Sequence, residues 1–300
     1  MLHWIGLCAI LSVKVGDQMT GTEKRIMIFE ETMRTCADDE SLRSAVSAAI
    51  AGQYIIWQEE DEPQWLPRFD RPAARVISRK RSFEAACPYA RAGKKVCVLN
   101  FASSVSPGGG VTYGSQAQEE SLCRISSLYP ALSDERMKAF YGRHWEMIHN
   151  GTMKRENRDD CIYTPNVIVL REDAGEEPLL PESLRYAADV ITCAAPDLRT
   201  VEDGSRYAPM QDELLSLLVR RWRRILAVAA ANGAQVLILG AFGCGVFANP
   251  PQLVARAFET AASGIDHCFE TIEFAVYSSS ENSPNYHAFA QISGIKENKT

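Results

Sequence analysis

The sequence predicts an α/β sandwich, and three observations carry that prediction. From residue 75 to residue 277, short β-branched or apolar runs alternate with helical ones; strands and helices that take turns in this way pack as helices on a sheet. The runs KVCVLN, VITCAA and VLILG are apolar throughout, as strands covered on both faces must be. With 46% apolar and 23% charged residues, the 300-residue chain has globular balance and room for one large domain or two ordinary ones. Collagenous, disordered and coiled-coil classes are excluded.

The first thirteen residues, MLHWIGLCAILSV, are too short to span a bilayer and lack a basic leading segment and a small-residue cleavage site. Residues 1–23 are therefore read as an appendage, with Met19 as an alternative start. Residues 24–52 carry apolar side chains at helical spacing, interrupted at Asp38-Asp39-Glu40, and predict two helices. The stretch from Trp57 to Pro72 is acidic and punctuated by prolines, which predicts a surface loop. Segment 24–72 is expected to form a helical extension packed on a main domain of residues 73–300.

In that domain the pattern predicts strand Arg75–Ser78, helix Phe83–Ala92, strand Lys95–Asn100 and a helix from Ala117 to Tyr129. Strands Asn166–Arg171 and Asp189–Ala194 follow. The amphipathic run LLSLLVRRWRRILAVAA marks a long helix Gln211–Asn232. Strand Gln235–Gly240, helix Pro251–Ser263 and strand Thr271–Tyr277 complete the alternation.

Thirty-two basic against 38 acidic residues give a net charge of −6. No overall positive field exists to attract nucleic acid or an anionic membrane surface, so neither is an expected partner, and any anionic ligand must be held by local groups. The arginines at 220, 221, 223 and 224 read as a solvated helix face before they read as a polymer-binding patch. Nine cysteines without a C-x-x-C pair indicate reduced thiols and an intracellular, soluble protein, cytoplasmic or nuclear, expected to be a monomer. The histidines of HWEMIH, His144 and His149, fall on different helix faces, unlike H-E-x-x-H. No metal and no cofactor is expected.

Ligands of such folds sit at the carboxyl ends of the strands, where two loops stand out. After Asn100 the chain runs through Gly108-Gly109-Gly110 and, seven residues on, into Gln118-Glu119-Glu120. Three glycines suit a main chain that lies flat against a ligand. Ser115-x-x-Gln118 reads as a capping box that would also favour acidic residues in the first turn, which accounts for about one of them. Glu119 and Glu120 project about 100° apart on a helix, so one catalytic and one positioning carboxylate fits better than a conventional glycosidase pair facing across a bond. The second loop, Gly240 to Phe247, turns from strand into helix near Pro250-Pro251. Its glycines predict unpaired amides that, with the helix N-terminus, bind phosphate without lysine; a tight packing turn is the other reading. Neither a P-loop nor a G-x-G-x-x-G motif follows a strand, which removes support for mononucleotide hydrolysis and hydride transfer.

The string NFASSVSPGGG…QEESLCR, with its GGG-x7-QEE core, resembles the signature of the bacterial-type poly(ADP-ribose) glycohydrolases, whose catalytic domain is a macrodomain. VITCAAPDLR at 190–199 and GAFGCGVFANPP at 240–251 are similar to that family too, and FEETMRTC with AGQY resembles its N-terminal helices, so the likeness covers about residues 24–290. The resemblance implies a macrodomain-like three-layer α/β/α sandwich with a mixed, mostly parallel sheet and an N-terminal helical extension. It implies a hydrolase of ribose–ribose bonds in poly(ADP-ribose) that releases ADP-ribose, with Glu120 as general acid and Glu119 holding hydroxyls. Asn100 would bond the distal ribose, Phe247 would pack on it, and Gly243, Cys244, Gly245 and Val246 would hold the diphosphate. Gly108, Gly109, Gly110 and Gln118 complete the expected binding set, and the N-terminal helices or loop 57–72 are the expected source of adenine contacts, by position. The same loops would serve a mono-ADP-ribosyl hydrolase acting on ADP-ribosylated macromolecules. A non-catalytic reader would not need both glutamates, and a cysteine hydrolase would be built around Cys244.

Overall fold

The computed structural model describes residues 19–174, 177–200 and 204–298; the thirteen-residue apolar start lies outside them. Thr20 opens helix α1 (Gly21–Asp38) with a capping box, its hydroxyl accepting the Glu23 amide while the Glu23 carboxylate accepts the Thr20 amide. Asp39 caps helix α2 (Glu40–Gly52) by accepting the Ser41 and Leu42 amides. The acidic patch thus ends one helix and starts the next.

After β1 (Tyr54–Ile56) and β2 (Ala74–Ser78) come α3 (Ser82–Arg91) and β3 (Val96–Phe101), then α4 (Gln118–Ile125), α5 (Leu128–Leu132) and α6 (Lys138–His149). Strands β4 (Cys161–Val169) and β5 (Tyr186–Cys193) precede α7 (Gln211–Ala231), β6 (Val236–Leu239) and α8 (Pro251–Ala261). The described chain closes with β7 (Thr271–Ala275), α9 (Pro284–Phe289) and β8 (Ile295–Glu297). The eight strands lie in the order β1-β4-β5-β3-β6-β7-β2-β8, parallel from β5 to β8 and antiparallel at β1–β4 and β4–β5.

Alternation along the central strands makes three layers. Cys97 and Leu99 of β3 and Leu237 and Leu239 of β6 join one core with Trp222 of α7 and Phe258 of α8. Their neighbours Val96, Val98, Val236 and Ile238 join the other with Phe83, Leu122 and Phe140, from α3, α4 and α6. The N-terminal helices pack on this second layer, where the Thr32 hydroxyl donates to Arg124 O at 2.7 Å and Gln53 Nε2 to Ala131 O at 2.9 Å. No helix among the described residues is long and apolar enough to cross a membrane.

Four expectations need correction. The single helix from Ala117 to Tyr129 is two helices, because Ser126 bridges to Val169 and the Ser127 amide donates to Ile168 O at 2.9 Å, drawing the chain onto the edge of β4. The strand expected at Asn166 begins at Cys161; a register shift between Thr164 and Val167, with Asn166 at φ 52°, interrupts the alternation there. Loop 57–72 does not reach the carboxyl ends of the strands: Arg68 donates to the carbonyls of Gly233, Ala234 and Cys268, just before β6 and β7 begin. The arginines of α7 are not one solvated face, since Arg221 and Arg224 are buried and bonded to loops 156–159 and 58–61.

Candidate active site

A cleft of about 970 Å³ opens at the carboxyl ends of β2, β3, β6 and β7, between the starts of α1 and α4 on one side and loop 241–247 on the other. Beyond β3 the Ser103 hydroxyl accepts the Val105 and Ser106 amides, and the Gly109 amide donates to Ser106 O at 3.0 Å, which folds the loop back over α4. Gly109 has φ +57°, and a Cβ there would stand 2.6 Å from Glu120 Oε1 and 3.1 Å from Glu119 Oε2. Only glycine allows the backbone to approach the two carboxyl groups so closely.

Gln118 does not take part in the expected capping box: Ala117 is the N-cap of α4, without a side-chain bond. Instead its amide accepts the Phe101 N–H at 2.9 Å and donates to Leu99 O at 2.8 Å and Ser82 Oγ at 3.0 Å. It stitches the start of α4 to the end of β3 and to α3. The next two side chains are thereby fixed at the floor of the cleft.

Glu119 is 3% exposed and Glu120 9%. Glu119 Oε2 accepts the Ser103 amide at 2.7 Å and Oε1 the Asn100 Nδ2 at 3.2 Å. Burial pushes its carboxyl up to about 8, the Glu120 charge adding to the rise and the two donors opposing it. Glu120 Oε1 accepts the Gly110 amide at 2.9 Å, whereas Oε2 is buried with no partner among the described residues. A buried carboxyl oxygen left in this state is suited to a ligand hydroxyl or ether oxygen. Glu119 therefore keeps its proton at neutral pH, while Glu120 keeps one oxygen uncommitted.

Across the cleft, the amides of Gly243, Gly245, Val246 and Phe247 donate to no described residue, while those of Cys244, Ala248 and Asn249 are used within the turn. Four such amides in one turn form a cradle for an anion. Helix α8 adds nothing to it: Pro250 and Pro251 open that helix without N–H groups and do not line the cleft. The cradle is braced by Asn249, whose Nδ2 donates to Pro196 O at 2.6 Å and Gly243 O at 3.0 Å. Arg199 lies over the Phe247 ring, 5.1 Å from its centroid. Cys244 is poorly suited to act as a nucleophile: burial pushes its thiol up to about 12, and its Sγ points back to Phe242 O.

At the far end Arg81 lies 4.6 Å over the half-exposed ring of Tyr277 and 3.9 Å from Asp173. Burial pushes the Asp173 carboxyl up to about 6. Arg124 holds Glu177 through two bonds of 2.7 and 2.9 Å beside it. Of the expected residues, Gly109, Gly110, Gln118, Glu119, Glu120, Gly243, Gly245, Val246 and Phe247 line the cleft. Asn100, Gly108 and Cys244 stand behind that lining, Asn100 fully buried and bonded to Glu119. Sequence reasoning missed Arg81, Arg199, Asn249 and Tyr277. Among them Arg199 closes the VITCAAPDLR string and Asn249 sits in GAFGCGVFANPP, so both had a signal; Arg81 and Tyr277 had none. Among the described residues no group of three or more His, Cys, Asp or Glu side chains is placed to hold a metal ion.

The family model described as microbial-type PARG, catalytic domain, matches residues 22–172, a segment that contains both the glycine run and the glutamate pair. The chain belongs to the microbial-type poly(ADP-ribose) glycohydrolase (PARG) family. A crystal structure of poly(ADP-ribose) glycohydrolase from Thermomonospora curvata is 31% identical over 89% of this chain and 98% of that one, with a TM-score of 0.76. The same enzyme bound to the inhibitor ADP-HPD gives 30% identity over the same shares, with a TM-score of 0.73. The Deinococcus radiodurans PARG in complex with ADP-ribose is 34% identical over 82% of this chain and 95% of that one, with a TM-score of 0.69. No curated protein matches the chain. The helix that carries the glutamates and the amide cradle follow adjacent strands, β3 and β6, and Tyr277 follows the next, β7.

Proposed function

We propose that this chain hydrolyses the ribose–ribose O-glycosidic bonds of poly(ADP-ribose), with Glu120 as the general acid and Glu119 as the positioning carboxyl beside it. The observation that carries the reading is the buried pair beneath Gly109 and Gly110, facing a cradle of four unused amides. Neighbouring strands are about 4.8 Å apart. A ligand lying across β3, β6 and β7 therefore meets, in order, the carboxyl pair, the cradle and the Tyr277 ring. Distal ribose, diphosphate and adenine follow one another in ADP-ribose in the same order, and the ADP-ribose complex of the Deinococcus relative supports that ligand.

The chemistry follows from this placement. Glu120 passes a proton to the leaving ribose oxygen as the bond to the anomeric carbon breaks, and the ribosyl centre takes on oxocarbenium character. Water then adds to that carbon and returns its proton to Glu120. Glu119, kept protonated by burial, adds no negative charge beside Glu120 and can donate to a ribose hydroxyl. Phe247 excludes water from the ribose face, and Asn100 keeps Glu119 in place from behind. Eight described cysteines are free, which supports an intracellular enzyme.

The test is ADP-ribose release from purified poly(ADP-ribose), measured by chromatography for wild type and Glu120→Gln, with a mono-ADP-ribosylated protein as second substrate. Release from polymer by wild type alone is expected. Release from the mono-ADP-ribosylated protein only would replace this reading with a mono-ADP-ribosyl hydrolase, and binding of ADP-ribose with no release from either would replace it with a reader.

A further inference from the structure

Neither HWEMIH histidine belongs to a metal-ligating cluster among the described residues, and one of them is built into the protein more firmly than a helix-surface histidine need be. His144 of α6 is 2% exposed. Its Nε2 lies 2.7 Å from Asp160 Oδ2 and its Nδ1 3.1 Å from Ser104 O. Asp160 stands immediately before β4, also receives Arg158 Nε at 2.9 Å and the Gln58 amide, and is held below the usual carboxylate range by these donors. The edge of the imidazole is gripped by Phe140, with ring centroids 4.3 Å apart. The dyad is thus anchored to the sheet on one side and reaches the glycine-rich loop on the other.

Ser104 is buried, and no other described residue donates to its carbonyl. One residue earlier, the Ser103 amide makes the 2.7 Å bond to Glu119. We propose that His144 is a positioning residue for the hydrolysis: through Nδ1–H to Ser104 O it fixes the Ser103–Ser104 turn, and with it the amide that orients Glu119. The inference rests on the reading of Glu119 and Glu120 as the acid pair. A carbonyl oxygen only accepts, and so does the ionised Asp160 carboxylate, so both ring nitrogens must carry protons for the two bonds to exist together.

Two near-isosteric variants separate the ring's two contacts. In His144→Asn the side-chain amide takes the place of Nδ1 and can still donate to Ser104 O; in His144→Gln it takes the place of Nε2 and can reach only Asp160. On poly(ADP-ribose), Asn is expected within about threefold of wild-type kcat and Gln at least about tenfold below it with KM little changed, since a misplacement of about 1 Å costs up to about 100-fold. Equal losses in both, or none in Gln, would overturn the proposal. The carboxyl-13C titration of Glu119, read in the same proteins, should shift in the Gln variant and hold in the Asn variant. That readout decides the matter even if wild type fails to cleave polymer, a result that would count against the function and not against the contact. Should a variant not fold, the 15N ring spectrum of wild type at neutral pH takes its place: a proton on Nδ1 is expected, and a ring protonated only on Nε2 refutes the bond.

Discussion

Gly110 and Glu120 are joined by a hydrogen bond of 2.9 Å from the glycine amide to Oε1, which closes the two halves of the glycine-glutamate motif on one another. The loop therefore restrains the acid as well as covering the ligand. One carboxyl oxygen is occupied by the backbone, and the other, Oε2, is buried and uncommitted. Rotation of the carboxyl would break the amide bond, so the free oxygen is presented in one orientation.

Glu120→Gln preserves the shape and can keep its carbonyl on the Gly110 amide, but it has no proton to give. We expect kcat on poly(ADP-ribose) to fall by about 10²- to 10⁴-fold, the usual range for a lost general acid, with ADP-ribose affinity by calorimetry within a few-fold of wild type. Turnover at the wild-type rate would remove Glu120 from the mechanism.

Glu119 gives the pH dependence its sign. The folded protein holds this proton up to about pH 8, whereas an unfolded chain releases it near the ordinary value of 4.5. Native stability from this group is therefore greatest below the lower pH, declines as pH rises between the two, and levels off above the upper one. Relative to wild type, Glu119→Gln should gain stability from pH 5 to pH 8.5, by roughly 4 kcal/mol in urea denaturation. Wild-type turnover should fall as pH rises through about 8, when Glu119 loses its proton.

Gly109→Ala places a methyl group 2.6 Å from Glu120 Oε1 at a φ of +57°. Because that oxygen is held by the Gly110 amide, loop and acid must separate, and kcat should drop more than about tenfold. A variant with normal turnover and an unmoved loop would contradict the close approach.

Gly243→Ala probes the other wall. Its methyl group would meet Ala195 Cβ at 2.5 Å and Asn249 Nδ2 at 2.6 Å, at φ +73°, so the amide cradle must shift while the glutamate pair stays intact. ADP-ribose affinity should weaken about tenfold or more, roughly 1.4 kcal/mol. The test is calorimetric titration of the folded variant.

What the sequence disclosed follows the range of the interactions concerned. Alternating apolar runs revealed the layers because burial on both faces is written into each strand by itself, as in Val96 to Leu99. The motif residues from Gly108 to Glu120 were legible because turn, strand end and helix start lie within one short segment. Arg81 and Tyr277 were not, since they meet only when β2 and β7 pair. The break at Ser126 depends on the edge of β4, and the bulge after Thr164 hid the first half of that strand from any reading by period. The arginines of α7 show the limit most sharply: a run of cations reads as solvated until the acceptors that bury it are known.

Arg221 supplies the measurable case. Its side chain is 1% exposed, its Nε lies 2.6 Å from Asp159 Oδ1, and its other nitrogens serve the carbonyls of Ala194 and Glu156. Removing the guanidinium leaves a buried carboxylate, the buried carbonyl of Ala194 and the partly buried one of Glu156, with the more exposed Arg220, 3.2 Å from Asp159 Oδ2, to compensate. Arg221→Met should therefore cost about 3 kcal/mol in urea denaturation, the lower end for breaking a buried pair. Replacing Asp159 by leucine in the same protein should restore part of the loss, because a packed apolar pair carries no desolvation penalty for charge. If Arg221 were instead a polymer contact, the single variant would keep its stability and lose binding to poly(ADP-ribose); normal stability with weakened polymer binding would reassign the residue.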